Sequence, residues 1–543
     1  MALTEDIFMP EVGPWGVRRT WYGKKKGQTL KYRWKTRPFH HQVAAVKTLL
    51  NNGYGGALLM EPRTGKTKVA IDWISILHLA GKVNRVLVFC PVSVMGVWEE
   101  QFAMHCPVEK YNLIIWDKRG RKKQDLPAYG RDRLDIVVMN YEALSTAGAV
   151  MYDKEGKPRR DKGNRLLRSR KRGGKYTLRK KLKAWQPQAI ILDESHRIKS
   201  PSAAKSRSIH MLGPVADYRL LMTGTAVTKK KRVFDIYSQW MFLYPMRFHV
   251  AGEPMDFKTF KGTFCVFISR NGWQQWVTNK NTKLLRNLIH RDSFAITREE
   301  CYDLPPRLDP EIIHVPLEES AETYDAMAED MVAKIHTGEY TEASIKLVQS
   351  LRLQQITSGI ARTEPSPGNP KGRLVRIGHE KLRVLEDRLY DFFEADEKVV
   401  IAARFIADIQ AIEALCKKLR AKTFVLRGGV KRWERDQRRR DFQAYDGPAA
   451  FIMQPSSGSL GIDLSSSGTF IWYSLTSSYV DFTQSEDRIA LNPHGTRFIY
   501  LLGEGTYDEV MYKILQEDGE VAKEVMRAPE RILRSEELRH SRM

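Results

Sequence analysis

The stretch Gly56–Ala70, "GALLMEPRTGKTKVA", decides how the rest of the chain is read. A buried-type apolar run ends at Met60, a short turn leads to Gly65-Lys66-Thr67, and a helical pattern, "KTKVAIDWISIL", follows. Strand, glycine turn and helix N-terminus set backbone N–H groups where a phosphate can be held. The phosphate-loop pattern asks for Gly, four residues, then Gly-Lys-Ser/Thr, and Met60 stands where the first glycine belongs. Taken alone, the tripeptide is equally a strand-to-helix turn. As a nucleotide site, Arg63, Thr64 and Gly65 form the cradle, Lys66 reaches the β- and γ-phosphates and Thr67 ligates Mg2+.

Downstream, "AIILDESH" (189–196) is an apolar strand ending on two carboxylates. Asp193 can hold Mg2+ there, and Glu194 can orient the attacking water of a phosphoryl transfer; the competing reading is a capped turn, since Asp-Glu-Ser is good N-cap chemistry. "LLMTGTAV" (220–227) is a third strand, ending in small hydroxylated residues. Further runs, "RVLVFCP", "NLIIWD" and "DIVVMN", then "KVVIAAR", "TFVLRGG", "AAFIMQP", "TFIWYSL" and "RFIYLLG", alternate with helix-length segments. Such alternation predicts two α/β domains built on parallel sheets. The expected layout is a basic extension at 1–36, a first domain at 37–245, a mainly helical insertion with a hairpin at 246–375, a second domain at 376–505 and a helical brace at 506–543. Within the insertion, "FCVFISRNGWQQWV" predicts a hairpin turning at Asn271-Gly272 and "ASIKLVQSLRLQQI" an amphipathic helix. Segment 154–183, with roughly half the excess positive charge and little apolar periodicity, predicts a mobile surface insertion, either an accessory grip or a solvated tail.

Length and charge agree with this layout. A chain of 543 residues suggests about three units. With 89 Lys and Arg against 64 Asp and Glu, the net charge of +25 points to a polyanionic partner, nucleic acid first. Cys90, Cys106, Cys265, Cys301 and Cys416 are scattered without metal-ligand spacing, so reduced thiols and no structural zinc are expected. No apolar run reaches the ~18 residues of a membrane span, and the amino terminus lacks a signal-peptide layout. The expectation is a soluble monomer, cytoplasmic in a prokaryotic or phage-infected cell and nuclear in a eukaryote.

In their order, the three strand-end elements resemble motifs I, II and III of superfamily-two helicases, whose motif I does not require the first glycine. The resemblance narrows to the Swi/Snf-like DNA translocases and covers nearly the whole chain from Arg37. "RPFHHQ" resembles the adenine-reading element, "VLVFCPVSVMGVWEEQF" motif Ia, "VVMNYEAL" the strand before motif II, and "DESHRIKSPSAAKS" the extended motif II. "FAITREECYDLPPR" is similar to the family's Arg-rich, Leu-Pro-Pro segment. "VVIAARFIADIQAIEAL", "SSGSLGIDLSSSGTFIWYS" and "QSEDRIALNPHG" resemble motifs IV, V and VI, and the hairpin resembles the annealing-helicase branch.

The resemblance implies two RecA-like P-loop domains with ATP and Mg2+ as ligands. It assigns Gln42 to the adenine and Gly461, Asp463, Gln484 and Arg488 to the nucleotide. To nucleic-acid contact it assigns Ser93, Asn140, Tyr141, Arg404, Ser456 and Ser457. One departure stands out: motif VI of the family reads Gln-x-x-x-Arg-x-x-Arg, and its last position here is Leu491. Either Arg488 acts alone or Arg497 assists. The implied activity is an ATP-driven motor on double-stranded or branched DNA. A strand-separating DNA or RNA helicase and a nucleic-acid-binding scaffold with a weakened ATPase are the alternatives.

Overall fold

The computed structural model describes residues 4–10, 27–116, 126–128, 130, 132–144, 174–224, 226, 233–244, 248–250, 253–270, 273–298, 300–301, 307–328, 342–363, 373–430, 432–458 and 462–526. The chain forms two compact units, Met1–Tyr302 with Val521–Met543, and Asp303–Glu520.

The first unit is built on a seven-stranded sheet. Its strands lie in the order Ser293–Ile296, Gly55–Met60, Tyr218–Met222, Ala189–Asp193, Arg85–Cys90, Leu134–Asn140, Tyr111–Trp116, and every neighbouring pair is parallel. Successive strand residues point to opposite faces. Leu58, Val88 and Ile191 therefore share one apolar layer with Leu49, Trp73 and Phe102, from helices His40–Asn52, Lys66–Leu79 and Met95–His105. Leu59, Phe89 and Leu192 enter the opposite layer with Leu182, Ile209 and Trp240. Both faces are covered, which is why these strands read as unbroken apolar runs rather than alternating ones.

The second unit carries six parallel strands in the order Glu311–Val315, Arg497–Gly503, Thr469–Trp472, Lys398–Ala402, Ala449–Met453, Lys422–Leu426. Helices Glu380–Glu394 and Ile406–Lys418 pack Leu385, Leu389, Ile409 and Ile412 against one face.

Every apolar run quoted above is a strand of one of these sheets. Two further strands come from the segment expected to be a helical insertion: Ser293–Ile296 pairs with Ala57–Met60, and Glu311–Val315 with Ile499–Gly503. Each is an edge strand of four or five residues, and a pairing partner far along the chain leaves no local mark. The expected hairpin joins Cys265–Arg270 to Trp273–Asn279, with an irregularity between Val266 and Phe267. Its Trp276 packs against the core and donates Nε1–H to Asn279 Oδ1 at 3.1 Å.

Two described stretches within residues 1–36 are strands. Thr4–Pro10 pairs antiparallel with Gly27–Arg33. Tyr32 is buried against the Lys66–Leu79 helix, its hydroxyl donating to Asp72 Oδ1 at 2.8 Å while Lys68 Nζ donates to Oδ2 at 2.8 Å. The charged segment 154–183 divides. Residues 154–173 lie outside the described residues, whereas 174–183 belong to helix Gly174–Trp185, so this end is a packed helix and not a solvated tail. Leu178, Leu182 and Trp185, spaced for one helix face, anchor it in the core.

Candidate active site

Strand Gly55–Met60 delivers the chain to a turn, and helix Lys66–Leu79 begins directly after it. Arg63 and Gly65 both take left-handed backbone, φ 68° and 86°. A Cβ on Gly65 would lie 2.1 Å from Gln42 Nε2, so glycine is required both by φ and by space. Gln42 is built into the turn: its Oε1 accepts the Phe39 N–H at 3.0 Å, and its Nε2 donates to the Thr64 carbonyl at 3.3 Å. His41 Nε2 meets the same carbonyl at 2.8 Å, and Thr64 Oγ1 donates to Glu61 O at 2.8 Å. Lys66 Nζ donates to Met60 O at 2.7 Å and Glu61 O at 3.0 Å. The missing first glycine has a simple reason. Position 60 is still strand, its side chain is wholly buried in the core, and only its carbonyl faces the loop.

Two places along the sheet, Asp193 ends its strand and Glu194 follows in left-handed conformation, φ 55° and ψ 55°. Asp193 Oδ2 accepts the Trp98 indole N–H at 3.0 Å, and its main-chain carbonyl accepts the Tyr141 hydroxyl at 2.8 Å. Burial, reinforced by the charge on Glu194, pushes the Asp193 carboxyl up. Burial also acts upward on Glu194, but His196, whose Nδ1 is 3.2 Å away, together with Lys66 and Arg197, outweighs it and holds this carboxyl below its ordinary range. Adjacent carboxyls driven in opposite directions suit different roles. The third element closes on the second: His196 Nδ1 lies 3.5 Å from Thr223 Oγ1, the Thr223 N–H donates to Leu58 O at 3.1 Å, and Ser195 Oγ donates to Gln239 Oε1 at 2.7 Å.

A Mg2+-bound triphosphate fits this donor set. Thr67 and Asp193 offer hard oxygen ligands, a helix N-terminus opens at the loop, and a divalent cation would keep the desolvated Asp193 ionised. Thr67 is half-buried at the second position of the helix.

The residues expected at a nucleic acid stand in different surroundings. Tyr141 cannot present itself to a backbone, because it is wholly buried with its hydroxyl on Asp193 O; it braces the main chain of Asp193 instead. Asn140 Oδ1 accepts the Ala143 N–H at 2.7 Å and so caps the turn Tyr141–Leu144. Ser93 lies on the one-turn helix Val92–Val94 after strand Arg85–Cys90. In the second unit Arg404 and the turn Pro455–Gly458, with Ser456 exposed and Ser457 beside it, follow adjacent strand ends, and Gln454 Nε2 ties them through Arg404 O at 3.2 Å. The Arg404 guanidinium donates to Gln354 Oε1 and to Ser477 Oγ.

Gly461 lies outside the described residues. The Asp463 carboxylate accepts the Ser465 N–H at 3.3 Å and hydroxyl at 3.2 Å. Arg488, buried beside the buried Gln484, donates Nε–H to Gln484 O at 2.7 Å and Nη1–H to Ile462 O at 3.1 Å. Arg497 is the first residue of its strand and sets its guanidinium 5.5 Å from the Phe392 ring centre. Leu491 is 39% exposed, so it does not pack beneath the motif. Sequence reading missed Trp98 and Gln239, because both act through partners far along the chain.

Profiles of known families match most of the chain: the SNF2-related domain at residues 40–359 and the helicase conserved C-terminal domain at 380–490. Among curated relatives, the ISWI chromatin-remodeling complex ATPase CHR11 of Arabidopsis thaliana is 24% identical over 80% of this chain and 37% of its own length. The ATP-dependent DNA helicase DDM1 of the same plant is 23% identical over 80% of this chain and 54% of its own length. The chain thus spans only about a third to a half of these relatives. A solved SWI2/SNF2 ATPase core of Sulfolobus solfataricus in complex with dsDNA aligns over 94% of this chain and 96% of that one, at 20% identity and a TM-score of 0.39. With a phosphate loop and a split carboxylate pair on one sheet edge, and a domain profile matched over more than half its length, the chain belongs to the SNF2-related family.

Proposed function

We propose that this chain is a DNA-stimulated ATPase that moves along double-stranded DNA and remodels protein–DNA complexes or branched DNA. The observation that carries the reading is the convergence, within one unit, of Lys66 at a helix N-terminus with the oppositely driven Asp193 and Glu194. ATP phosphates would take the N–H groups of residues 65–67, and Lys66 would exchange the carbonyls of Met60 and Glu61 for phosphate oxygens. Thr67 and Asp193 would hold Mg2+, which would supply positive charge to offset the negative charge that develops in phosphoryl transfer. Glu194, kept ionised by His196, Lys66 and Arg197, would orient the attacking water. Gln42, seated under the loop, would meet the adenine.

The partner reading rests on the +25 charge and on relatives whose names include a chromatin-remodeling ATPase and a DNA helicase. Contacts with the phosphate backbone carry no sequence information and release counterions, so binding is expected to be non-specific and salt-sensitive. The test compares ATP hydrolysis with single-stranded, duplex and forked DNA and with RNA at one salt concentration, alongside triplex-displacement and strand-displacement assays. Stimulation by duplex and loss of the third strand without unwinding is the expected result. Strand separation without triplex displacement would make the protein a helicase, and no stimulation by any ligand would make it a scaffold.

A further inference from the structure

The carboxyl edge of the seven-stranded sheet divides into two halves. Gly55–Met60, Tyr218–Met222 and Ala189–Asp193 are consecutive strands and end in the phosphate loop, Thr223 and Asp193-Glu194. The next two, Arg85–Cys90 and Leu134–Asn140, are in register at Cys90 and Asn140 and end in the turns Val92–Val94 and Tyr141–Leu144. Asp193 stands on the boundary strand, which pairs with Tyr218–Met222 on one side and Arg85–Cys90 on the other.

From the second half, two side chains reach back to this one residue. Trp98 lies on the helix that continues directly from Val92–Val94, and its indole N–H fixes one carboxylate oxygen of Asp193 at 3.0 Å. Tyr141 opens the other turn and fixes the Asp193 carbonyl at 2.8 Å. Trp98 is 1% exposed and Tyr141 0%, so water does not compete for either bond. Both rings are wedged, Trp98 against Phe102 at 6.2 Å and Tyr141 against Phe89 at 5.9 Å between centres. A displacement of either turn therefore moves its donor, because close-packed rings transmit shifts instead of absorbing them. The outer side of the first turn is open, with Val92 half exposed.

We infer that Trp98 and Tyr141 are positioning residues that transmit occupancy of these two turns by a nucleic-acid backbone to the Mg2+-ligating Asp193, so that a bound strand speeds hydrolysis. The inference rests on the reading of the chain as a DNA-stimulated ATPase. A catalytic ligand must sit within about 0.5 Å of its productive place, and the Trp98 N–H holds one oxygen of this carboxylate.

The test uses the full chain with Trp98→Phe, which keeps a ring against Phe102 and removes the N–H, and Tyr141→Phe, which removes only the hydroxyl. Four quantities are measured: duplex affinity by fluorescence anisotropy without nucleotide, the Mg2+ dependence of binding a fluorescent ATP analogue, the ratio of duplex-stimulated to basal hydrolysis, and the melting temperature. Duplex affinity should stay within about twofold of wild type. In Trp98→Phe the Mg2+ needed for half-maximal nucleotide binding should rise about tenfold, the worth of a hydrogen bond to a charged acceptor. The stimulation ratio should fall about tenfold in Trp98→Phe and severalfold in Tyr141→Phe. Unchanged ratios in both variants would overturn the inference while leaving the proposed function standing. If Trp98→Phe fails to fold, Tyr141→Phe decides by the same ratio. A wild-type enzyme that no nucleic acid stimulates would overturn both readings together.

Discussion

Asp408 offers a measurement whose size follows from its surroundings. It lies in the first turn of helix Ile406–Lys418, wholly buried, with Oδ2 accepting the Ser474 hydroxyl at 2.9 Å. That same hydroxyl oxygen accepts the Arg404 N–H at 2.8 Å, so the carboxyl underpins the loop that carries Arg404. Burial pushes the Asp408 carboxyl from 3.8 up to about 7, only partly opposed by Ser474 and by the charges of Arg376 and Lys381. The folded state therefore binds this proton more tightly than the unfolded chain. Its contribution to stability is complete below the unfolded pKa and is lost as pH rises through the folded one. Between about pH 5.5 and about pH 8 the loss comes to about 2 kcal/mol. Asp408→Asn keeps the shape and a partner for Ser474 but cannot titrate. Urea unfolding of both proteins at the two pH values, followed by hydrogen exchange in peptides from 398–418, reads the second unit apart from the first. Relative to wild type, the variant should gain about 2 kcal/mol on passing from the lower to the higher pH. Equal pH dependence in the two proteins would refute the reasoning.

Lys66→Ala should abolish hydrolysis and leave duplex affinity within about twofold, since it removes only the cation that meets the phosphates; near-normal turnover would sink the phosphate-loop assignment. Glu194→Gln should still bind Mg2+-ATP and lose about 10²-fold or more in turnover, and a normal rate would show that Glu194 does not handle the attacking water. Arg488→Ala should lower DNA-stimulated hydrolysis by about 10³-fold with little change in ATP affinity, and undiminished hydrolysis by a stably folded variant would displace motif VI. Leu491→Arg should melt with wild type, because the position is 39% exposed, and should raise stimulated turnover; unchanged turnover would show that the absent arginine limits nothing.

Much of this molecule was legible because its signals are local. A parallel strand buried on both faces needs a continuous apolar run, so all the quoted runs could be counted as strands before their order was known. A phosphate loop needs only strand, left-handed glycine and helix in sequence, and Gly65, Lys66 and Thr67 supply them within a dozen residues. The carboxylates at 193 and 194 were placed by the same logic, at the end of a strand.

What remained hidden depends on neighbours distant in the chain. Ser293–Ile296 and Glu311–Val315 are strands because partners across the sheet complete their hydrogen bonds. Tyr141 follows a strand end, as a backbone-contacting residue would, yet its ring enters the core and its hydroxyl serves a residue 52 positions away. Trp98 finds Asp193 across 95 positions. The opposite pKa displacements of Asp193 and Glu194 likewise come from burial and from His196, Lys66 and Arg197, which the fold brings around them. Sequence alone therefore determined the elements and the chemical groups, since propensity and periodicity act over a few residues. Tertiary structure decided which groups face each other and in which direction each carboxyl is driven, since desolvation and hydrogen bonding depend on whatever the folded sheet places alongside.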